Sequence, residues 1–276
     1  MSVTVGTNTN TNTNTNTGAS AGPSPVKGPG ANAGPSTSLS PNFWGSRRYA
    51  AVVCDYGGVL TNPLLETYST FAERYGLTLG QLAQAVVDAT EKYGIGPMAA
   101  LEVGAIPETE FLARIHAELP EDMPALEPAA FRAAWFAGRR GNARLVEFLR
   151  TLKDRGYQLA MLTNNVAEWR PNWRATIPVD ELFGLVVDSS EERVRKPDPE
   201  IYRRLLDRLG IPAQWCLFVD DMPENCAAAA ELGMTAIRFE DNAQAIRAVA
   251  AELGETDQAG QVDGQLVGAA ADGSST

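Results

Sequence analysis

Ala51-Val52-Val53-Cys54-Asp55-Tyr56-Gly57-Gly58-Val59-Leu60-Thr61 is the stretch on which the fold turns. An apolar run of strand type ends in one carboxylate, followed by two glycines and further apolar residues. A short continuous apolar run bounded by Gly has the form of a central strand in a parallel sheet, buried on both faces. A carboxylate at its C-terminal end stands where open α/β sheets place their ligands. The glycines let the backbone turn sharply and approach a ligand closely. Read alone, the stretch also fits a buried strand whose Asp merely starts a turn.

The surroundings narrow the choice. Residues 1–46 alternate Thr and Asn and then become rich in Gly, Pro, Ser and Ala. Such a segment cannot bury enough apolar surface to offset its ordering entropy, so it reads as a disordered tail, as do the small and acidic residues 257–276. Between them, residues 63–138 carry four helical patterns (63–75, 79–93, 109–119 and 128–136) and no convincing strand. This segment is expected to form a helical subdomain inserted after the first strand. From Asn142 an alternation begins: helix to Lys153, strand 157–162, strand 182–187, helix 198–209, strand 215–219, helix 223–232, strand 235–239, helix 242–253. Asn142 and Asp198-Pro199 supply helix starts, and Gly156, Gly210 and Gly233 supply stops. The alternation predicts a doubly wound α/β core, residues 47–62 and 139–256, with a parallel sheet and helices on both faces.

Composition limits the function. No apolar run approaches the roughly 20 residues of a membrane span. The opening residues lack the basic and apolar segments of a signal peptide. Three cysteines, Cys54, Cys216 and Cys226, form no paired framework and lack zinc-ligand spacing, so reduced thiols and a cytoplasmic location are expected. A net charge of -11 argues against nucleic acid and anionic membranes as partners. It leaves room for a phosphorylated substrate, because a local cation can overrule the global field. His116 is the sole histidine and falls in a helix of the insertion, which leaves little basis for serine-hydrolase or zinc chemistry. Arg139-Arg140 and Arg203-Arg204 read as surface charge, and Cys54 as a small core residue.

Four stretches place polar groups on strand ends or nearby loops: Asp55, Thr163-Asn164, Lys196 and Asp220-Asp221. In a doubly wound sheet all carboxyl ends share one edge, so these groups can converge. Three carboxylates without histidine favour a hard cation such as Mg²⁺. A hydroxyl, an amide and a lysine suit phosphoryl oxygens.

At this point the sequence resembles the haloacid dehalogenase (HAD) superfamily, whose usual members are Mg²⁺-dependent phosphatases. Asp55-Tyr56-Gly57-Gly58-Val59-Leu60, Leu162-Thr163-Asn164, Arg195-Lys196-Pro197-Asp198 and Phe218-Val219-Asp220-Asp221 look like its four motifs, in order. Residues 63–138 match its cap in position and size. The resemblance implies a phosphatase of a small phosphorylated metabolite, with Asp55 forming an aspartyl-phosphate and Thr163 and Asn164 holding phosphoryl oxygens. Lys196 would neutralise developing charge. Mg²⁺ would be held by Asp55, the Gly57 carbonyl and Asp221, with Asp220 acting through water and Asn225 orienting the acidic loop. One position departs: the family's phosphatases usually carry a second Asp where this chain has Gly57. That Asp protonates the leaving oxygen, and losing a general acid-base costs about 10²- to 10⁴-fold, or about 3 to 5 kcal/mol. The departure implies substrates with good leaving groups, or a proton donor from the cap such as Glu66 or Tyr68. Two alternatives stay open: a catalytically weak or inactive relative that binds a ligand, and a metal-free dehalogenase-type enzyme using Asp55 on carbon.

Overall fold

Ala51–Cys54 (β1), Gln158–Thr163 (β2), Leu185–Asp188 (β3), Cys216–Asp220 (β4) and Thr235–Arg238 (β5) pair in parallel in the order β3-β2-β1-β4-β5. The chain is seen as a computed structural model that describes residues 47–255, so the two expected tails lie outside the described residues. From β1 the chain winds out through β2 to β3, then returns to add β4 and β5 on the other side. The order therefore reverses between β1 and β4, and a crevice opens there at the carboxyl ends of the strands.

Successive strand residues feed opposite faces. Val52, Cys54, Leu159, Met161, Leu217 and Val219 enter one apolar cluster. Ala51, Val53, Ala160, Leu162, Cys216 and Phe218 enter the other. The first face is covered by Ala143–Asp154 and by the C-terminal helix Asn242–Leu253, through Leu145, Leu149, Leu152, Ile246 and Val249. The second is covered by Pro199–Leu209 and Pro223–Glu231, through Ile201, Leu205, Ala228 and Ala229. Each fully buried Leu, Val or Phe contributes about 1.5–3 kcal/mol, so the double covering explains why these strands read as continuous apolar runs. The helix starts follow their sequence signals. The Asn142 side chain accepts from Leu145 N at 3.3 Å, Asp198 caps Glu200 N ahead of Pro199, and Gly210 closes that helix at φ 65°.

The insertion holds five helices: Leu64–Arg74 (α1), Leu79–Tyr93 (α2), Pro97–Glu102 (α3), Glu108–His116 (α4) and Pro128–Ala137 (α5). The sequence pattern shows only four, because α3 is six residues long and is flanked by Gly96 and Gly104. The expected strand 182–187 is shorter than read, since Val179–Leu182 is a helical turn and the strand begins at Leu185. The chain leaves the core and returns to it side by side. Thr61 and Gly141 form an antiparallel bridge, and Asn142 N donates to Leu60 O at 2.8 Å. Gly141 is required there, since a Cβ would lie 2.8 Å from Thr176 O. Phe71, Phe111, Phe131 and Trp135 of the insertion join Trp169 of the core in one cluster, with Phe131 stacked on Trp135 at 5.5 Å. Among the described residues no helix is long and apolar enough to cross a membrane, and the three cysteines are free thiols.

Candidate active site

Asp55 follows β1 directly, and its N–H donates to Val219 O at 2.9 Å, which ties it to the end of β4. Lys196 arrives from the loop after β3 and is only 1% exposed, an unusual setting for an ammonium. Its Nζ donates to Asp55 Oδ1 and to Asp220 Oδ2, each at 2.6 Å. The backbone of Lys196 is clasped by Asn164, whose Oδ1 accepts from Lys196 N at 2.8 Å while its Nδ2 donates to Lys196 O at 3.0 Å. Two strand ends and two loops are thus joined around one buried cation.

Carboxylate oxygens of Asp55, Asp220 and Asp221 lie within 4.8 Å of one another. The three are not equivalent. Both oxygens of Asp220 are committed: Oδ2 to Lys196, and Oδ1 to Met222 N and Asn225 Nδ2, both at 2.9 Å. Asp55 Oδ2 accepts no hydrogen bond from the described residues. Burial pushes the Asp55 carboxyl up to about 7, with Lys196 pulling it down and Asp220 pushing it further up. Burial also raises Asp221, aided by Asp220. Burial works to lower Lys196, but Asp55 and Asp220 outweigh it and hold the ammonium above its ordinary value. Carboxylates crowded and desolvated to this degree, with free oxygens remaining, fit a hard divalent cation. Gly58 makes the crowding possible. Its φ is +85°, and a Cβ there would lie 2.5 Å from Asp221 Oδ2.

These groups open into a cavity of about 360 Å³, within the range of small-molecule sites. Asp55, Gly57, Asn164, Lys196, Asp221 and Asn225 line it. Thr163 does not; it ends β2 at 1% exposure, its hydroxyl only 3.5 Å from Asn165 Nδ2. Gly57 has an ordinary φ, and a Cβ there would meet only the Leu64 side chain, at 3.7 Å. The loop could therefore carry a side chain at position 57.

Residues of the insertion line the cavity, and polar ties fasten the insertion to the core. Ser189 Oγ donates to Glu102 O at 2.7 Å, Arg195 Nε lies 2.8 Å from Glu102 Oε2, and Trp169 Nε1 donates to Glu108 Oε1 at 2.7 Å. Burial raises the Glu102 carboxyl, with Arg195 opposing. Of the two expected proton donors, Tyr68 lines the cavity, where burial raises its phenol. Glu66 does not: its carboxylate is exposed, accepts from Asn62 Nδ2 at 2.9 Å, and pairs with Arg140. Those partners, the Asn62 hydrogen bond first, lower its pKa and hold it ionised.

Arg139 corrects the surface reading of Arg139-Arg140. Arg140 is exposed, but Arg139 lines the cavity, its NH1 donating to Thr61 Oγ1 at 3.2 Å and Asn62 O at 3.0 Å. Its Nε is buried without a hydrogen-bond partner, and no carboxylate among the described residues pairs with it. Burial lowers its pKa, yet a guanidinium stays charged. A cation with no carboxylate partner on the wall of this cavity could receive an anionic ligand, which a pair of adjacent arginines does not announce. Arg203 is surface charge as read, pairing with Glu200, whereas Arg204 is half-buried and pairs with both Glu200 and the buried Glu192, whose main-chain oxygen accepts from its NH1 at 2.6 Å.

Comparison with known proteins agrees with this geometry. The mouse acyl-CoA dehydrogenase family member 10 is 26% identical over 76% of this chain, which spans only 20% of that protein. The sesquiterpene phosphatase astK of Aspergillus oryzae is 28% identical over 70% of this chain and 91% of its own length. A phosphorylated carbohydrates phosphatase of Thermotoga maritima is 27% identical over 68% of this chain and 83% of its own. Among solved structures, a predicted HAD-like hydrolase of Porphyromonas gingivalis superposes with a TM-score of 0.59 at 22% identity, covering 74% of this chain and 97% of that one. A HAD family enzyme of Bacteroides thetaiotaomicron, in complex with magnesium and inorganic phosphate, gives 0.55 at 22% identity over 70% and 94%. The profile of haloacid dehalogenase-like hydrolases matches residues 49–233, from the strand before Asp55 to the end of the helix after Asp220-Asp221. With its sheet order, its acidic cluster and this match in agreement, the chain belongs to the haloacid dehalogenase-like hydrolase family.

Proposed function

We propose that the protein is a Mg²⁺-dependent phosphatase of small phosphorylated molecules, with residues 63–138 serving as a cap over the site. The observation that carries this reading is Lys196 bridging Asp55 and Asp220 beside Asp221, at the point where the strand order reverses. Asp55, the Gly57 carbonyl and Asp221 would hold Mg²⁺ directly, and Asp220, whose oxygens are committed, would act through water. The metal, when bound, supplies charge neutralisation at the phosphoryl oxygens. Asp55 Oδ2 attacks phosphorus as the bond to the leaving oxygen breaks, and that oxygen departs with the electron pair. Lys196 fixes the other Asp55 oxygen and balances negative charge as it develops. The Asn164 side chain is committed to Lys196, so its contribution to phosphate falls to the main-chain N–H. Water then attacks the aspartyl-phosphate, inorganic phosphate leaves, and the proton from water ends on the departed oxygen.

Gly57 favours a second reading, in which the pocket binds a phosphorylated ligand with little turnover. Dehalogenase chemistry on carbon has no need of a cation, and the Asp220-Asp221 pair disfavours it. Phosphate release with Mg²⁺ or EDTA, compared for wild type, Asp55→Asn and Gly57→Asp, separates these readings. Mg²⁺-dependent release lost in Asp55→Asn is expected. Silence in wild type with activity gained in Gly57→Asp would make the ligand-binding reading the correct one.

A further inference from the structure

Most polar groups of the cavity come from the strand edge, whereas the insertion and the turn after β2 contribute Leu64, Tyr68, Met98, Trp135, Phe136 and Trp169 beside the single acid Glu102. Four of these touch one another: Trp135 lies 5.4 Å from Trp169, tilted, and 5.2 Å from Tyr68, edge-on, and Phe136 meets Trp169 edge-on at 6.0 Å. The sole polar atom of the Trp169 ring is already spent on Glu108, so the ring offers the cavity only hydrocarbon. Glu102, the acid that the insertion contributes, is paired with Arg195. A polyol such as a sugar would find on this wall only the Tyr68 hydroxyl and Trp135 Nε1 besides the paired Glu102, and unpaired buried hydroxyls are costly.

Resting on the phosphatase reading, we infer that the substrate is a phosphoryl compound whose remaining part is an apolar, ring-sized hydrocarbon body, held against Tyr68, Trp135, Phe136 and Trp169, while Arg139 and the strand edge take the phosphoryl end. The division of labour follows from placement. Arg139, with its unpartnered Nε, stands at the junction where the chain returns from the insertion to the core.

The test uses wild-type protein with Mg²⁺ and three non-hydrolysable probes, methylphosphonate, cyclohexylmethylphosphonate and 1-naphthylmethylphosphonate, with affinity read by calorimetry and by tryptophan fluorescence. Burial of a ring against such a wall gives an expected gain of about 30- to 100-fold over methylphosphonate. A gain under about tenfold for both ring compounds overturns the inference. A gain for naphthyl alone assigns a flat aromatic body, and equal gains assign hydrocarbon in general. Phe136→Ala should lose about tenfold of the gain while leaving methylphosphonate affinity the less affected. Acetyl phosphate, which has an activated leaving group and no apolar body, tests the phosphatase reading separately. Its hydrolysis without any preference among the phosphonates sinks the inference alone, whereas a clear preference without hydrolysis of any phosphate retains the apolar site and sinks turnover.

Discussion

Lys196→Met tests whether the buried ammonium organises the acidic end of the sheet. Methionine matches the volume of the lysine stem, so the substitution removes charge and two hydrogen bonds with little change in packing. Asp55 Oδ1 and Asp220 Oδ2, each 2.6 Å from Nζ, would be left without their cation while 7% and 0% exposed. Breaking a buried pair by removing one partner costs about 3–5 kcal/mol. The sign of the pH dependence follows from Asp55, whose folded pKa is raised above its unfolded value by burial. A raised carboxyl binds more protons folded than unfolded, so its contribution is fully present below the unfolded pKa and is lost as pH rises through the folded one. Without Lys196 the Asp55 carboxyl shifts further up, and each additional unit is worth about 1.4 kcal/mol. Urea unfolding in EDTA should therefore show a loss of about 3–5 kcal/mol near pH 8 that shrinks by half or more near pH 5.5. Mg²⁺, by neutralising the same carboxylates, should restore part of the loss at the higher pH. A loss below about 1 kcal/mol near pH 8, or one independent of pH, would refute the assignment of Lys196 as counterion and leave it a packing element.

Gly58→Ala should cost about 1–3 kcal/mol through backbone strain at φ +85° and lower Mg²⁺ affinity at least about tenfold by displacing Asp221, both read by titration calorimetry and thermal unfolding. Gly57→Ala, at an ordinary φ, is the control and should stay within about 0.5 kcal/mol of wild type. Arg139→Met should raise KM for phosphorylated substrates by about 10- to 100-fold while changing stability by less than about 1 kcal/mol, since it removes an unpaired buried charge along with two hydrogen bonds. Because a proton must leave Asp55 for metal to bind, Mg²⁺ binding should release close to one proton near pH 6 and almost none near pH 8.5, measured in buffers of different ionisation enthalpy.

The core was legible because its signals are local and mutually consistent. Strands buried on both faces read as unbroken apolar runs, and Asn142, Asp198-Pro199 and Gly210 mark helix ends by their own hydrogen-bonding and φ preferences. The shorter elements were not legible. Pro97–Glu102 is too brief to show a helical period, and Val179–Leu182 carries apolar residues that fit a strand equally well. Both are held by tertiary packing: Ala100, Leu101, Val179 and Leu182 are all buried.

The acidic and basic groups of the motifs were legible because their chemistry is expensive to bury without a purpose. Arg139 and Glu66 were misread for the opposite reason, as a charged residue among charged residues carries no mark of its direction. What decides Arg139 is the Thr61–Gly141 bridge, which fixes the returning chain so that one arginine faces the cavity and its neighbour faces solvent. What decides Glu66 is helical geometry: it lies two residues from Tyr68 on α1, about 200° around the axis, so only one of the pair can face the cavity. An acid at position 57 would have room for its Cβ. That atom would rest against the Leu64 side chain, at 3.7 Å, in ordinary van der Waals contact. The backbone thus remains able to carry the missing acid, and its replacement by glycine is a choice of side chain that the loop itself does not impose.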